Sequence, residues 1–235
     1  MTEEKKRANA PGNSSKYDYS RLEKHADSVI TGKTIIFLGS SVTYGAAAEG
    51  QSFVELFEQL DGVNAIKEAK SGTTLVDKTS VNAEIESGDG RSYIKRLNSL
   101  DPEMHVDCVV CQLSTNDATM KFPLGEIGDN DTGTITGAIE YIINYCHDTW
   151  GCPVIFYTGS YYESAEYAAM VDRLYEIAYK LDVGIIDLYT DRDFNNISED
   201  DYAVYMYDPI HPTRAGYSEW WMPKLEIGLK MLFER

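Results

Sequence analysis

A serine, an aspartate and a histidine in this chain have the residue types and spacing of a nucleophilic catalytic site. Ser41 ends the run Ile35-Ile36-Phe37-Leu38-Gly39-Ser40-Ser41, in which four apolar residues lead into a turn of small residues. Such a run is typical of a buried parallel strand that presents a hydroxyl at its carboxyl end. A serine there is a nucleophile when a base lies within hydrogen-bond reach, and otherwise it caps the following helix.

His211 is the histidine best placed to be that base. It lies in Asp208-Pro209-Ile210-His211-Pro212, before a predicted helix. In a turn, this spacing lets the carboxylate of Asp208 accept a hydrogen bond from Nδ1 of the imidazole, so that Nε2 faces a serine. An ordinary turn with a helix cap is the alternative interpretation. The remaining histidines, His25, His105 and His147, follow no predicted strand, and we expect them to be surface or packing residues.

Acyl transfer also needs hydrogen-bond donors for the negative charge that develops on the substrate oxygen. Three candidates are the backbone N–H of Ser41, the backbone N–H of Gly72 and the side-chain amide of Asn116. Gly72 permits close approach of a substrate to the backbone, and Asn116 supplies a neutral donor. A turn glycine and an Asx turn are the alternative interpretations of the last two residues.

Five apolar segments alternate with helical segments and predict a parallel sheet with helices on both faces. Ser41, Gly72 and Asn116 follow the first three predicted strands, and Asp208 and His211 come well after the fifth. Ligand sites in such sheets form at the carboxyl ends of the strands, so one edge is predicted to collect all five residues. The predicted strands cover residues 34–38, 63–69, 108–113, 154–157 and 183–188.

Helical periodicity marks the segments between the strands. One clear example is an apolar face with the spacing i, i+3, i+4, i+7, made of Phe53, Leu56, Phe57 and Leu60. The last helix is predicted over about 213–233, with a kink at Pro223. Residues 76–90 are predicted to be irregular, and 118–133 to form a loop whose length favours a functional role.

Length and charge limit the function classes. The chain has 235 residues, and we expect a flexible tail over residues 1–20 and one domain over residues 21–235. A net charge of −17 argues against nucleic acid or an anionic membrane as partner. The chain as given has no apolar run of membrane-spanning length and no signal peptide, so a cytoplasmic location is expected. The oligomeric state is left open.

Cys108 and Cys111 have the C-x-x-C spacing of redox and zinc sites. They lie within an apolar run that is predicted to be a buried strand, where side chains three positions apart point to opposite faces. No second pair of cysteines or histidines follows at zinc spacing. We therefore expect two buried structural thiols and no metal site.

Four segments together resemble the four conserved blocks of the SGNH hydrolases, the GDSL-like esterase and lipase superfamily, in the family's order. They are Gly39-Ser40-Ser41-Val42-Thr43, Gly72, Ser114-Thr115-Asn116-Asp117 and Asp208-Pro209-Ile210-His211-Pro212. The resemblance implies a flavodoxin-like three-layer α/β/α fold, with Ser41 as nucleophile, His211 as base and Asp208 orienting the base. It also implies an oxyanion hole made by Ser41, Gly72 and Asn116, and no metal or organic cofactor.

Two residues depart from the family pattern. The family usually has Asp at the position of Ser40 and Gly at the position of Ser114. Neither residue belongs to the implied catalytic set. We expect Ser40 to change how the nucleophile turn is braced and Ser114 to crowd the cleft, and the two departures motivate a hypothesis of reduced activity or a narrow substrate range.

The leading hypothesis is a serine esterase that acts on short acyl groups, acetyl above all, of a small-molecule or carbohydrate ester. The carbohydrate part rests on family analogy, the acidic composition and the 17 tyrosines, whose rings can stack on sugars. The alternative is a catalytically weak or silent carbohydrate-binding module on the same fold. A nucleotide-binding protein is disfavoured because neither G-x-G-x-x-G nor a Walker loop follows the first strand.

Overall fold

A five-stranded sheet organises the computed structural model, which describes residues 2–77 and 92–234. Its strand order is β2-β1-β3-β4-β5, and every neighbouring pair is parallel. This is the flavodoxin-like order, so the predicted fold class is confirmed. The strands are β1 Thr34–Gly39, β2 Asn64–Ala69, β3 Cys108–Gln112, β4 Val154–Tyr157 and β5 Val183–Ile186. Residues 78–90 of the stretch predicted to be irregular lie outside the described residues.

Helices connect the strands and cover both faces of the sheet. A π-helical turn, Phe57–Asp61, continues α3, and another, Gly216–Trp221, precedes α9. Among the described segments, no helix combines the length and apolarity that crossing a bilayer requires. The helices are α1 Glu3–Ala8, α2 Ser41–Tyr44, α3 Phe53–Leu56, α4 Tyr93–Leu97, α5 Thr115–Thr119, α6 Ile135–Trp150, α7 Ala165–Ala178, α8 Glu199–Tyr205 and α9 Met222–Phe233.

Alternation along the strands divides the buried residues into two cores. In β1, Ile36 and Leu38 face the core formed with α4, α6 and α7, whereas Ile35 and Phe37 face the core formed with α3 and α9. The same alternation places Cys111 in the first core and Cys108 in the second. Both thiols are free and buried, as predicted.

The last helical segment differs in detail from its prediction. Its first part, Gly216–Trp221, is π-helical, and α9 begins at Met222. Pro223 lies in the first turn of α9, directly after the π-helical turn, so its missing N–H falls at the junction of the two helix types. The change of helix type therefore coincides with the proline that was predicted to cause a kink.

The N-terminal segment differs from the flexible tail predicted for residues 1–20. Residues 2–20 contain α1 and short 3₁₀ turns that lie against the rest of the molecule. Asn13 is only 3% exposed, and its Nδ2 donates to the carbonyl oxygens of Arg7 and Ala47. Its Oδ1 accepts from the backbone N–H of Arg214 at 2.9 Å. Ala47 and Arg214 lie far along the chain from Asn13, so a local pattern of polar residues could not reveal these contacts.

Replacing Asn13 tests whether this segment contributes to stability. We expect Asn13→Ala to lower the free energy of unfolding by roughly 2–3 kcal/mol, because it leaves buried backbone groups without partners. Urea unfolding measures the change. Asn9→Ala is the matched control, since Asn9 is exposed and donates only to the nearby carbonyl of Lys5. Equal stabilities of the two variants would contradict a structural role for Asn13.

Candidate active site

Ser41 lies where β1 turns directly into α2. It is the first residue of α2 and is 7% exposed. The turn needs glycine at position 39 for space, because a Cβ there would lie 1.7 Å from Oγ1 of Thr43 and 2.9 Å from Oε1 of Gln112. The close packing of β1 against the first turn of α2 thus sets the position of the serine hydroxyl.

A continuous set of hydrogen bonds joins Asp208, His211 and Ser41. Nε2 of His211 lies 2.9 Å from Oγ of Ser41. On the other side of the ring, Nδ1 lies 2.8 Å from Oδ2 and 2.9 Å from Oδ1 of Asp208. The structure therefore brings together the three residues that the sequence singled out, in the order and at the distances that transfer of a proton from the serine requires.

The loop that carries Asp208 and His211 is fixed by its own backbone. Oδ1 of Asp208 accepts from the N–H groups of Ile210 and His211, both at 2.9 Å. Burial raises the pKa of Asp208, but the hydrogen bond and charge of His211 and these two N–H groups outweigh burial, so the pKa lies below its usual value. The carboxylate is thus kept ionised and aligned with the imidazole.

Gly72 and Asn116 lie together beside the turn that follows β2. Gly72 has φ of +82°, a conformation that side-chain-bearing residues rarely adopt. Nδ2 of Asn116 donates to the carbonyl oxygen of Thr73 at 2.8 Å, which orients the amide, and the second amide hydrogen has no acceptor among the described residues. Within residues 2–77 and 92–234, no acceptor takes the backbone N–H of Ser41 or of Gly72. All three predicted donors are therefore available to a substrate.

Arg96 ties the elements that carry these donors. Its guanidinium, on α4, donates to the carbonyl oxygens of Gly39 and Glu68, at the ends of β1 and β2. It also donates to Oγ1 of Thr73 at 3.2 Å. One buried side chain thus links the strand before Ser41 to the turn beside Gly72. We infer that Arg96 helps to hold the two backbone donors in register.

Gln112 braces the turn at Ser40. Its Oε1 accepts from the N–H and hydroxyl of Ser40, at 2.9 and 3.3 Å. It also accepts from the N–H and hydroxyl of Thr43, at 3.4 and 2.9 Å. Both serine and glutamine are buried. In this chain a neutral acceptor on β3 therefore braces the nucleophile turn, next to the position where the family usually has Asp.

Ser114 differs from the expectation that it would crowd the cleft. Its side chain is fully buried and caps α5, accepting from the N–H of Asp117 at 3.4 Å. Asp117 is also fully buried, and its carboxylate accepts from the N–H groups of Leu75 and Val76. Asp117 therefore fixes the chain just after Gly72 relative to Asn116.

The other histidines lie on the surface, as predicted. The side chains of His25, His105 and His147 are 42%, 79% and 80% exposed, and each has a carboxylate neighbour. In the part of the chain that the structure describes, His211 is therefore the histidine that reaches Ser41.

A cluster of possible metal ligands lies at the opposite edge of the sheet. Among the described residues, His25, Asp61 and Glu226 place ligand atoms within 4.8 Å of one another. Nζ of Lys230 lies 3.6 Å from Asp61 and forms an ion pair with Glu226. Its ammonium group already supplies the positive charge that these carboxylates attract. The cluster also lies near the amino ends of β1 and β2, away from Ser41.

Three residues around the site were missed by sequence reasoning: Arg96, Gln112 and Asp117. Each is a polar residue that the structure buries. Gln112 ends an otherwise apolar strand, and Asp117 directly follows Asn116. The sequence could therefore have indicated that both residues lie near the site. Arg96 lies on a short helix whose apolar face is evident, but its strand-end partners could not be read from local spacing.

The chain matches the model of the GDSL-like Lipase/Acylhydrolase family over residues 37–218, which include every candidate residue. A search of curated proteins found no significant sequence match.

Several solved structures share the fold. A Lactobacillus plantarum protein is 19% identical, with a TM-score of 0.68, over 86% of this chain and 98% of that one. A Bacteroides ovatus protein assigned to the GDSL-like lipases is 16% identical, with a TM-score of 0.57, over 86% and 99%. A family two carbohydrate esterase from Clostridium thermocellum, solved in complex with cellohexaose, is 15% identical, with a TM-score of 0.58, over 86% and 65%.

Asp117 makes the stability of the protein depend on pH. Burial raises its pKa to about 6, against the opposing effect of the hydrogen bonds from Ser114, Val76 and Leu75. This value lies above that of an unfolded aspartate, about 3.9, so the folded state binds a proton that the unfolded state has lost. The contribution of Asp117 to stability is therefore greatest at low pH and declines as pH rises through about 6.

Urea unfolding of the wild type and Asp117→Asn at pH 5, 6 and 7 tests this sign. We expect the unfolding free energy of the wild type minus that of the variant to fall by about 1 kcal/mol from pH 5 to pH 7. Taking the difference removes the other titrating groups. A difference that rises with pH would show that the N–H donors outweigh burial and lower the pKa of Asp117.

Proposed function

Since the chain belongs to the GDSL-like lipase/acylhydrolase family, we propose that it is a serine esterase that removes short acyl groups, acetyl above all, from carbohydrate esters. The observation that carries this proposal is the hydrogen-bonded series Asp208–His211–Ser41. In this proposal Ser41 is the nucleophile, His211 the general base and Asp208 the residue that orients the base. Ser41, Gly72 and Asn116 form the oxyanion hole.

The first half-reaction forms an acyl-enzyme. Oγ of Ser41 attacks the carbonyl carbon of the ester while Nε2 of His211 takes the hydroxyl proton. The carbonyl oxygen becomes an oxyanion and accepts hydrogen bonds from the N–H groups of Ser41 and Gly72 and from the amide of Asn116. The bond to the alcohol oxygen then breaks, and His211 gives its proton to the departing alcohol.

The second half-reaction repeats these steps with water. His211 removes a proton from a water molecule, whose oxygen attacks the acyl carbon of the acyl-enzyme. The same three donors stabilise the second oxyanion. Its collapse releases the carboxylic acid, and the proton on His211 returns to Oγ of Ser41. The ionised carboxylate of Asp208 stabilises the imidazolium in both halves.

The preference for short acyl groups is supported by the loop after α5. Phe122, Leu124 and Ile127 pack against the core formed with α4, α6 and α7, so they are not free to form an apolar lid over a long chain. A net charge of −17 also opposes substrates that carry phosphates, such as coenzyme A thioesters. The carbohydrate part of the proposal is supported by the fold shared with the Clostridium thermocellum carbohydrate esterase.

Hydrolysis of p-nitrophenyl acetate, butyrate and octanoate by the wild type beside Ser41→Ala tests the proposal. We expect the acetate to be hydrolysed fastest and the variant to remain at the background rate, because the nucleophile is absent. A preference for octanoate would contradict the acyl-group assignment. A wild type no faster than Ser41→Ala on every ester, acetylated sugars included, would instead favour the silent binding module.

Removing the side-chain donor tests the oxyanion hole separately. We expect Asn116→Ala to lower kcat on p-nitrophenyl acetate by a factor of about 10²–10³, the usual cost of one such donor. KM should change little, because the donor acts mainly on the transition state. Asn98→Ala is the control, since the amide of Asn98 bonds Tyr141 on the surface. Equal kcat values for the two variants would show that Asn116 is not a donor of the oxyanion hole.

A further inference from the structure

A cavity of about 330 Å³ opens at the carboxyl ends of β4 and β5, and the proposed reaction does not use it. Neighbouring strands are about 4.8 Å apart, so the ends of β4 and β5 lie about 10–15 Å along the sheet edge from the end of β1. The cavity therefore lies on the same edge of the sheet as Ser41, two to three strands away. Its lining residues are Tyr161, Tyr189, Thr190, Asp191, Arg192 and Asn195.

Two tyrosine rings form the apolar wall of the cavity. Tyr189 is buried, and its hydroxyl donates to the carbonyl oxygens of Tyr162 and Ser164. The ring of Tyr161 lies 5.3 Å from that of Tyr189 with an interplanar angle of 36°, and Tyr161 is 56% exposed. The buried tyrosine thus supports a second ring that presents aromatic surface to solvent.

The cavity is held in shape before any ligand enters. Oδ1 of Asn195 accepts from the backbone N–H of Tyr161 at 2.9 Å, and its Nδ2 donates to the carbonyl oxygens of Leu188 and Asp191 at 2.7 Å. This one side chain joins the loop after β4 to the loop after β5. A preformed cavity binds a ligand without the cost of ordering its loops.

Of the two charged residues that line the cavity, Asp191 is already paired and Arg192 can bind a ligand. Asp191 is engaged, because its carboxylate bonds Nζ of Lys224 at 2.7 Å and the N–H of Phe194 at 2.9 Å. Arg192 is exposed, and its guanidinium makes no hydrogen bond or ion pair with the residues that the structure describes. An aromatic face beside a guanidinium suits a pyranose ring, whose C–H face packs on the tyrosine while its oxygens accept hydrogen bonds.

We propose that this cavity is a sugar-binding subsite, in which a pyranose ring of the substrate stacks on Tyr161 and accepts hydrogen bonds from Arg192. The bound ring lies a short distance along the glycan from the acylated sugar at Ser41. The inference rests on the proposed function and deepens it, because it assigns the substrate class to an oligosaccharide rather than to a monosaccharide or a simple alcohol ester.

The kinetic test compares a small ester, which cannot reach the cavity, with two hexasaccharides, which can. For Tyr161→Ala, we expect kcat/KM on p-nitrophenyl acetate to stay within about twofold of the wild type, because this ester is too small to span about 10 Å. The other two substrates are partially acetylated β-1,4-linked hexasaccharides, one of glucose and one of xylose. On each we expect KM to rise about tenfold at nearly constant kcat. Arg192→Gln should raise KM on the same hexasaccharides severalfold.

Tyr179→Ala is the matched control, because Tyr179 is 93% exposed at the end of α7 and lines no part of the cavity. It should leave kcat and KM unchanged on p-nitrophenyl acetate and on the hexasaccharides. The subsite proposal is wrong if Tyr161→Ala leaves KM on the hexasaccharides unchanged, or if it lowers kcat/KM equally on the hexasaccharides and on p-nitrophenyl acetate. The esterase proposal stands in either case.

A binding measurement separates failure of the subsite from failure of the proposed function. Titration calorimetry with the unacetylated hexasaccharides needs no catalysis, and we expect Ser41→Ala to bind at least one of them and Ser41→Ala/Tyr161→Ala to bind it about tenfold more weakly. If the protein is inactive on every ester and the two variants still differ in affinity, the subsite proposal stands and the esterase proposal is wrong. Absence of binding to both hexasaccharides at millimolar concentration would overturn the subsite.

Discussion

A single hydrogen bond, 2.9 Å long, joins Oγ of Ser41 to Nε2 of His211 across 170 positions of the chain. Everything proposed for the chemistry depends on holding these two atoms together, since a serine without its base is a poor nucleophile. Other hydrogen bonds join the same two segments of the chain. The hydroxyl of Tyr217 donates to the carbonyl of Val42 at 2.6 Å, and Asn13 bonds both Ala47 and Arg214. The segments that carry nucleophile and base are thus tied together by these contacts as well.

The nucleophile turn is held by the neutral amide of Gln112 on β3 and by the guanidinium of Arg96 on α4 rather than by a carboxylate beside Ser41. Gln112 accepts four hydrogen bonds from Ser40 and Thr43, and Arg96 bonds the carbonyl of Gly39. Both side chains are buried, so solvent cannot replace the bonds that they make. The departure from the family pattern at Ser40 therefore has a physical counterpart in the structure.

The sheet and the strand-end residues were predictable because they depend on local pattern. Apolar runs that alternate with helical segments identified all five strands, and the rule that parallel strands share a carboxyl edge then predicted that Ser41, Gly72 and Asn116 lie near one another. The packing of Asn13 and the bonds of Arg96 could not be predicted in this way. Their partners are brought near only by the completed fold, and a polar residue in a polar segment looks the same whether or not it finds such partners.

Labelling with a fluorophosphonate, followed by peptide mass spectrometry, tests whether Ser41 is an activated nucleophile. This reagent phosphonylates a serine hydroxyl that a neighbouring base has activated, and it needs no knowledge of the substrate. We expect one phosphonyl group per molecule, on the peptide that contains Ser41, and none after His211→Ala. A protein that stays unlabelled, or a label on another hydroxyl, would contradict the assignment of Ser41 as an activated nucleophile.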